Sequence, residues 1–160
     1  MSAGGFWILG FGNLLREDDG AGARALEGLE PPGPDVAVEV VPELVPELAE
    51  ELADLEGVVF VDAGRRGAPG EVRCEALAAG GASSPPGSHA LDPASLLEYT
   101  ERLYGRRPKA VLVTVAGRSF GFGTGLSEEV FAALPRARER ILSAIEAWRG
   151  ESRRRPPAGP

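Results

Sequence analysis

Cysteine, histidine and long apolar runs are what this sequence has least of, and each scarcity removes a class of function. One of its 160 residues is cysteine, Cys74, and one is histidine, His89. A single thiol forbids an intramolecular disulfide and any cysteine-built metal cage, so nothing asks for an oxidising compartment. No apolar run approaches the roughly 20 residues that a membrane-spanning helix needs. The opening residues, MSAGG, lack the basic and apolar regions of a secretion signal, so the cytoplasm is the expected compartment and no membrane partner is expected. Positive charge is also short: 17 lysines and arginines against 24 aspartates and glutamates leave a net charge of −7. Nucleic acid is therefore excluded as a natural partner, and a metal ion or a cationic protein surface fits better.

What is present in quantity is glycine, 22 residues, and proline, 14, which predicts short elements and tight turns. Trp7 to Phe11 reads as a strand buried on both faces, followed by a turn at Asn13 and a helix carrying Ala21, Ala23, Ala25 and Leu26. Val36 to Val41 is a second strand, and Glu43 to Leu55 an amphipathic helix with Pro46 in its first turn and Gly57 at its end. Val58 to Val61 is the strongest buried strand, and Glu71 to Leu77 alternates as an edge strand in which Cys74 is expected to pack. A glycine- and serine-rich passage leads to His89, then a helix from Pro93 to Leu103 capped by Asp92, and a strand from Ala110 to Val115. Ser127 is placed to cap a short helix over Glu128 to Ala133, with a last helix from Pro135 to Trp148. The order predicts an α/β fold: three layers, α-β-α, with a mostly parallel twisted sheet of about five strands, one antiparallel edge strand near residue 74, and helices on both faces. Residues 1–149 are expected to form a single domain and 150–160 a disordered tail.

The residues that carry chemistry sit where such sheets bind ligands. Glu17, Asp18 and Asp19 follow the first strand, Asp62 ends the third, and His89 stands in the loop before the third helix. The plain reading of Asp18 is a helix N-cap. Two carboxylates and an imidazole form an oxygen and nitrogen donor set suited to zinc, nickel or cobalt, with coordination positions left open. Rival sites fail on the residues. Gly117-Arg118-Ser119-Phe120-Gly121 matches a nucleophile elbow in letters, but glycines recur at 121, 123 and 125 where a helix is required, and His89 precedes the serine instead of following it. No phosphate-binding P-loop occurs, and the glycines at 10 and 12 lack the third of a dinucleotide fingerprint. A receiver-like phosphoacceptor needs a lysine ending the last strand, whereas Lys109 lies at its start. A non-catalytic metal-binding or receiver-like module remains the alternative to an enzyme.

One family matches these residues in order. Gly10-x-Gly12-Asn13-x-Leu15-Arg16-x-Asp18-Asp19-Gly20-x-Gly22, then Val59-x-Val61-Asp62-Ala63, Ser88-His89-x-Leu91 and Gly125-Leu126-Ser127, resembles the nickel-iron hydrogenase maturation endopeptidases over residues 6 to 149. The resemblance implies a twisted sheet between helices. It also implies an enzyme that removes a carboxyl-terminal extension from the hydrogenase large-subunit precursor once nickel has been inserted. Its catalytic and metal-contacting residues map to Asp19, Asp62 and His89. The implied nickel is carried by the precursor, and zinc or cadmium are adventitious substitutes for it. The partner is then the nickel-loaded precursor, and the protease itself a monomer. Glu17, Glu43 and Val45 depart from the family's usual residues, and the loop from Gly117 to Gly125 is a substrate-docking candidate.

Overall fold

A computed structural model describes residues 4–79, 91–157 and 159 of the chain. The first strand, β1 (Phe6–Phe11), has no polar side chain, and Trp7, Ile8 and Leu9 are fully buried. Such a strand is stable only when covered above and below, which is the centre of a largely parallel sheet. The sheet has five strands, β1, β2 (Val36–Val41), β3 (Gly57–Gly64), β4 (Val72–Ala76) and β5 (Lys109–Ala116), in the order β2-β1-β3-β5-β4. Only β4, on the edge, runs antiparallel to its neighbour. Helices α1 (Ala21–Leu26) and α4 (Glu128–Arg154) cover one face, where Ile8, Val59, Val113 and Val115 pack with Ala25, Ile141 and Ile145. Helices α2 (Ala49–Ala53) and α3 (Pro93–Tyr104) accompany the other, where Trp7, Leu9, Val58 and Phe60 pack with Leu52, Leu96 and Leu97. This is the mixed α/β sheet the sequence predicts. Asp92 caps α3 as expected, accepting from the Ser95 amide at 2.7 Å. Among the described residues no helix is long and apolar enough to cross a membrane.

Several expectations are corrected. The helix predicted over Glu43 to Leu55 is a 3-10 turn, Pro46–Leu48, running into the short α2. Leu44 is still buried, but from an extended segment ahead of the proline. Gly57 opens β3 instead of closing a helix, and a Cβ there would meet the Trp148 ring at 2.7 Å. Cys74 is exposed, not packed, because it sits on the edge strand, which α4 covers only in part. The two helices predicted around Pro135 are one helix. A proline there forgoes only its own amide bond, and the apolar stripe of Val130, Ala137, Ile141, Ile145 and Trp148 is buried without a break. The same helix continues through Arg154, where a disordered tail was expected from 150. Side-chain contacts hold that last stretch: Arg149 with Asp35, Lys109 with Glu151, and Ser152 with Glu56. Trp148 stacks on Phe6 with ring centroids 5.9 Å apart.

Strand order is what positions the site. From β1 the chain crosses to β2 on one side, then returns to lay β3 on the other. The chain thus leaves the carboxyl end of β1 toward β2 and that of β3 toward β4 and β5, and these opposite departures leave a crevice at the switch point. Gly22 lets α1 come down onto that crevice. A Cβ at this position would lie 2.8 Å from the Phe11 carbonyl oxygen and would overlap that of Val61. Neither neighbour is a movable side chain. Gly22→Ala is therefore expected to cost about 3 kcal/mol, an overpacking penalty that lowers the melting temperature by roughly 6–12 °C. Thermal unfolding followed by circular dichroism checks this, and an unchanged melting temperature contradicts the close approach.

Candidate active site

The loop leaving β1 is built from its own polar groups. The Asn13 side chain accepts from the Leu15 amide at 2.9 Å, closing an Asx turn. The Asn13 amide in turn donates to Asp19 Oδ2 at 2.8 Å, which fixes one oxygen of that carboxylate. Gly12, at φ 135°, makes the bend possible. A Cβ there would overlap the Asp19 carbonyl oxygen and would stand 3.7 Å from Asp62 Oδ1. Both aspartates thus meet at one glycine.

Asp62 arrives from the neighbouring strand. It lies near the carboxyl end of β3, in register with Thr114 of β5, on the opposite face from the buried Val61. Burial pushes its carboxyl up to about 7; a hydrogen bond with the Ala63 backbone opposes the rise, and the charge of Asp19 adds to it. A carboxyl poised near neutral pH at a crevice mouth, beside a second carboxylate, marks a site for proton transfer or cation binding.

Asp18 is not the helix cap that its position suggested. No side chain caps the 3-10 turn Glu17–Gly20 or the start of α1. Asp18 is instead completely buried and points across to a distant part of the chain. Its Oδ2 accepts from the amides of Arg118 at 2.7 Å and Ser119 at 2.9 Å and from the Ser127 hydroxyl at 2.9 Å. Its Oδ1 accepts from the Ser127 amide at 2.8 Å. Burial alone pushes this carboxyl up, but the amides of Ser127, Ser119 and Arg118 and the Ser127 hydroxyl outweigh it and hold the group below the usual carboxylate range.

The glycine-rich loop is consequently fastened to the loop carrying Asp19. Asp18 donates its amide to the Ser119 carbonyl at 3.0 Å, Glu17 donates to that of Gly123 at 2.9 Å, and Gly123 donates to that of Leu15 at 2.9 Å. Arg16 lies over the Phe122 ring at 5.0 Å, and Arg65, three residues past Asp62, over Phe120 at 4.1 Å. Glu17 takes φ 49°, rare for a residue with a side chain, and its carboxylate lies along Gly121 and Gly123, where a Cβ at 121 would come within 3.1 Å. Leu15 and Phe122 stay exposed on this paired lip.

Of the three residues singled out in the sequence, Asp19 and Asp62 are brought together. His89 lies in 80–90, outside the described residues. Among the described residues no cluster of three or more histidine, cysteine, aspartate or glutamate side chains is arranged to hold a metal. What sequence reading missed is the Asp18 clamp. Its signal was indirect: a loop with four glycines between 117 and 125 exposes amides that need an acceptor.

No family model and no curated protein matches the chain. Solved structures do. The hydrogenase maturating endopeptidase HybD from E. coli superposes with a TM-score of 0.77 at 26% identity, over 89% of this chain and 93% of that one. A [NiFe] hydrogenase maturation protease, HycI from Thermococcus kodakarensis KOD1, is also 26% identical, with a TM-score of 0.68 over 90% of this chain and 94% of that one. A hydrogenase 2 maturation peptidase from Thaumarchaeota archaeon SCGC_AB-539-E09 shares the fold, with a TM-score of 0.66 at 23% identity over 88% and 97%.

The carboxyls of Asp18 and Asp62 have opposite signs in the pH dependence of stability. Asp18, with its pKa lowered by folding, contributes above the unfolded value and loses that contribution as pH falls through the folded one. Asp62, raised to about 7, favours the fold when protonated, so its contribution is lost as pH rises from about 4 to about 7. Asp62→Asn should therefore raise the melting temperature at pH ~8 and change it little at pH ~5. Asp18→Asn puts an amide group among three backbone donors and is expected to cost about 3 kcal/mol at neutral pH. Urea unfolding of both variants across pH checks the signs.

Proposed function

We propose that this chain, which belongs to the hydrogenase maturation endopeptidase family, removes the carboxyl-terminal extension of a nickel-iron hydrogenase large-subunit precursor after nickel insertion. Asp19, Asp62 and His89 contact the nickel that the precursor holds. The observation that carries this reading is the meeting of Asp19 and Asp62 at the crevice between β1 and β3, in a fold shared with HybD over 89% of the chain.

The chemistry open to the site favours water as the nucleophile. The one thiol, Cys74, is exposed on the edge strand, away from the crevice. Ser127 is engaged by Asp18 through both its amide and its hydroxyl. Hydrolysis then needs a base to take the water proton, an electrophile at the scissile carbonyl, and a group to return the proton to the leaving amine. One carboxylate of the pair can take that proton from water and return it to the leaving amine. The substrate's nickel supplies the electrophile, and carboxylate and imidazole donors suit such a borderline ion. Zinc or cadmium would be taken by the same donors as adventitious ions.

Requiring the metal of the substrate makes the enzyme a checkpoint. A precursor without nickel brings two like-charged carboxylates nothing to bind. Mass spectrometry of nickel-loaded and nickel-free precursor incubated with the chain is expected to show loss of the extension from the loaded form alone, and cleavage of both would overturn the nickel requirement. Asp62→Ala with His89→Ala should abolish cleavage; if the double variant still cuts, the residue assignment is wrong. Because Asp62 must be ionised to meet a cation, the rate with loaded precursor should climb as pH rises through about 7, and a flat profile from mildly acid to mildly alkaline pH would contradict its role.

A further inference from the structure

The sheet row that holds Asp62 continues into a cationic groove. Asp62 of β3 is in register with Thr114 of β5, and Thr114 with Arg73 of β4. Residues paired laterally across a sheet project to the same face, so the three side chains form one row. That face is the one bearing Phe60 and Leu112, opposite the face bearing Val61, Val113 and Val115. Thr114 and Arg73 of this row, with Gly64, Arg65, Arg66, Glu75 and Leu112, line an open groove of about 310 Å³.

In a chain of net charge −7, three arginines on one small cavity are a local reversal of sign. They are not consumed by the fold. Arg66 is exposed and makes no ion pair among the described residues. Arg73 has only a loose pair with Glu71, Nη2 to Oε2 at 3.4 Å, with both side chains well exposed. Arg65 lies flat over Phe120 at 4.1 Å, which orients its guanidinium without neutralising it. Gly64 keeps the passage between Asp62 and the arginines low, since a Cβ there would already press on Thr114 at 3.3 Å.

We infer that this groove binds an acidic side chain of the segment that the enzyme releases, held by Arg66 and Arg73 a few residues from the bond cut at Asp62. The inference rests on the proposed peptidase reading. Strands about 4.8 Å apart put the Arg73 backbone roughly 10 Å across the sheet from that of Asp62, a span of about three or four extended residues. A carboxylate at that distance is matched by guanidinium forks, while a basic side chain is repelled. Because Arg65 and Arg66 are exposed at the outer end, a chain can run on through the groove, which suits a side chain in mid-segment and not a terminal carboxylate. The folded body of the precursor, which carries the nickel, has the open lip of Leu15 and Phe122 to approach; the groove is left for the extended tail.

The test separates the groove from the catalytic reading. The nitrogen-labelled full chain is titrated, with arginine Nε and amide NMR signals observed, against three acetylated alanine hexapeptides. One has aspartate at its fourth position and an amidated end, one has asparagine there and an amidated end, and one has asparagine and a free carboxyl end. The expected result is saturable shifts at Arg66 and Arg73 with the aspartate peptide alone, lost in Arg66→Gln/Arg73→Gln at unchanged melting temperature. Shifts with the free-carboxyl peptide alone would reassign the groove to a chain terminus and overturn the side-chain proposal. Shifts with none of the three, or equal shifts with all, would overturn it outright. With nickel-loaded precursor the same double variant should raise KM about tenfold at nearly constant kcat, as expected for loss of an interaction made equally in ground and transition states. If wild type fails to cut the loaded precursor, the peptidase reading falls, and the titration still decides the groove.

Discussion

A buried carboxylate with four donors governs the rim of this protein. Asp18 has no contact with solvent, and taking a charge out of water costs several kcal/mol unless its lone pairs are met. Three backbone amides and a hydroxyl meet them, and the direction of its pKa says that the donors win over burial. The same contacts solve a second problem. The amides of Arg118, Ser119 and Ser127 belong to a glycine-rich loop and to the residue preceding α4, where no sheet or helix partner exists for them. One side chain thereby joins the exit of β1, the exit of β5 and the start of α4. Asp19, the next residue, inherits its position from that junction.

Three carboxyls at one rim then stand in three different surroundings. Asp18 is locked ionised by amides. Asp62, desolvated and next to a like charge, retains its proton up to about pH 7. Asp19 has one oxygen committed to the Asn13 amide and lies within range to raise its neighbour. Pairs of acids whose environments push their pKa values apart are how a fold assigns acid and base roles. A merely structural salt cluster would place cations between them, whereas Arg16 and Arg65, on the adjoining loops, lie over aromatic rings.

What could be read in the sequence follows physical range. The apolar runs at 7–11 and 58–61 declare buried strands because both faces of a central strand must be apolar, and Asp92 declares a cap because its partner is three residues away. The approach of Asp19 to Asp62 was legible because the carboxyl ends of adjacent parallel strands lie side by side in any such sheet. Asp18 was not: its acceptor role is set by amides 100 to 109 residues further on. Pro135 was misread because local propensity forbids a proline in mid-helix, while a continuous buried stripe from Val130 to Trp148 overrides it. Cys74 was misread because alternation marks which face a residue is on and not how far the helices extend over that face. The row of Asp62, Thr114 and Arg73 was beyond reach for the same reason as Asp18, since it depends on the antiparallel register of an edge strand.

The layout of charge gives the proposed reaction a direction. A peptide laid across the rim would meet the carboxylates at the β1–β3 crevice and the guanidiniums beyond β5, so only one polarity of chain satisfies both ends. At the acidic end the competitor of a divalent cation is the proton on Asp62. Binding the cation must displace that proton and offset, in its place, the like charges of Asp62 and Asp19. In the proposed reaction, that exchange is open only to a precursor that arrives with its metal. Selectivity for the loaded form then needs no recognition of the precursor's fold, because the unfavourable pairing of two carboxylates already disfavours every ligand that brings no positive charge.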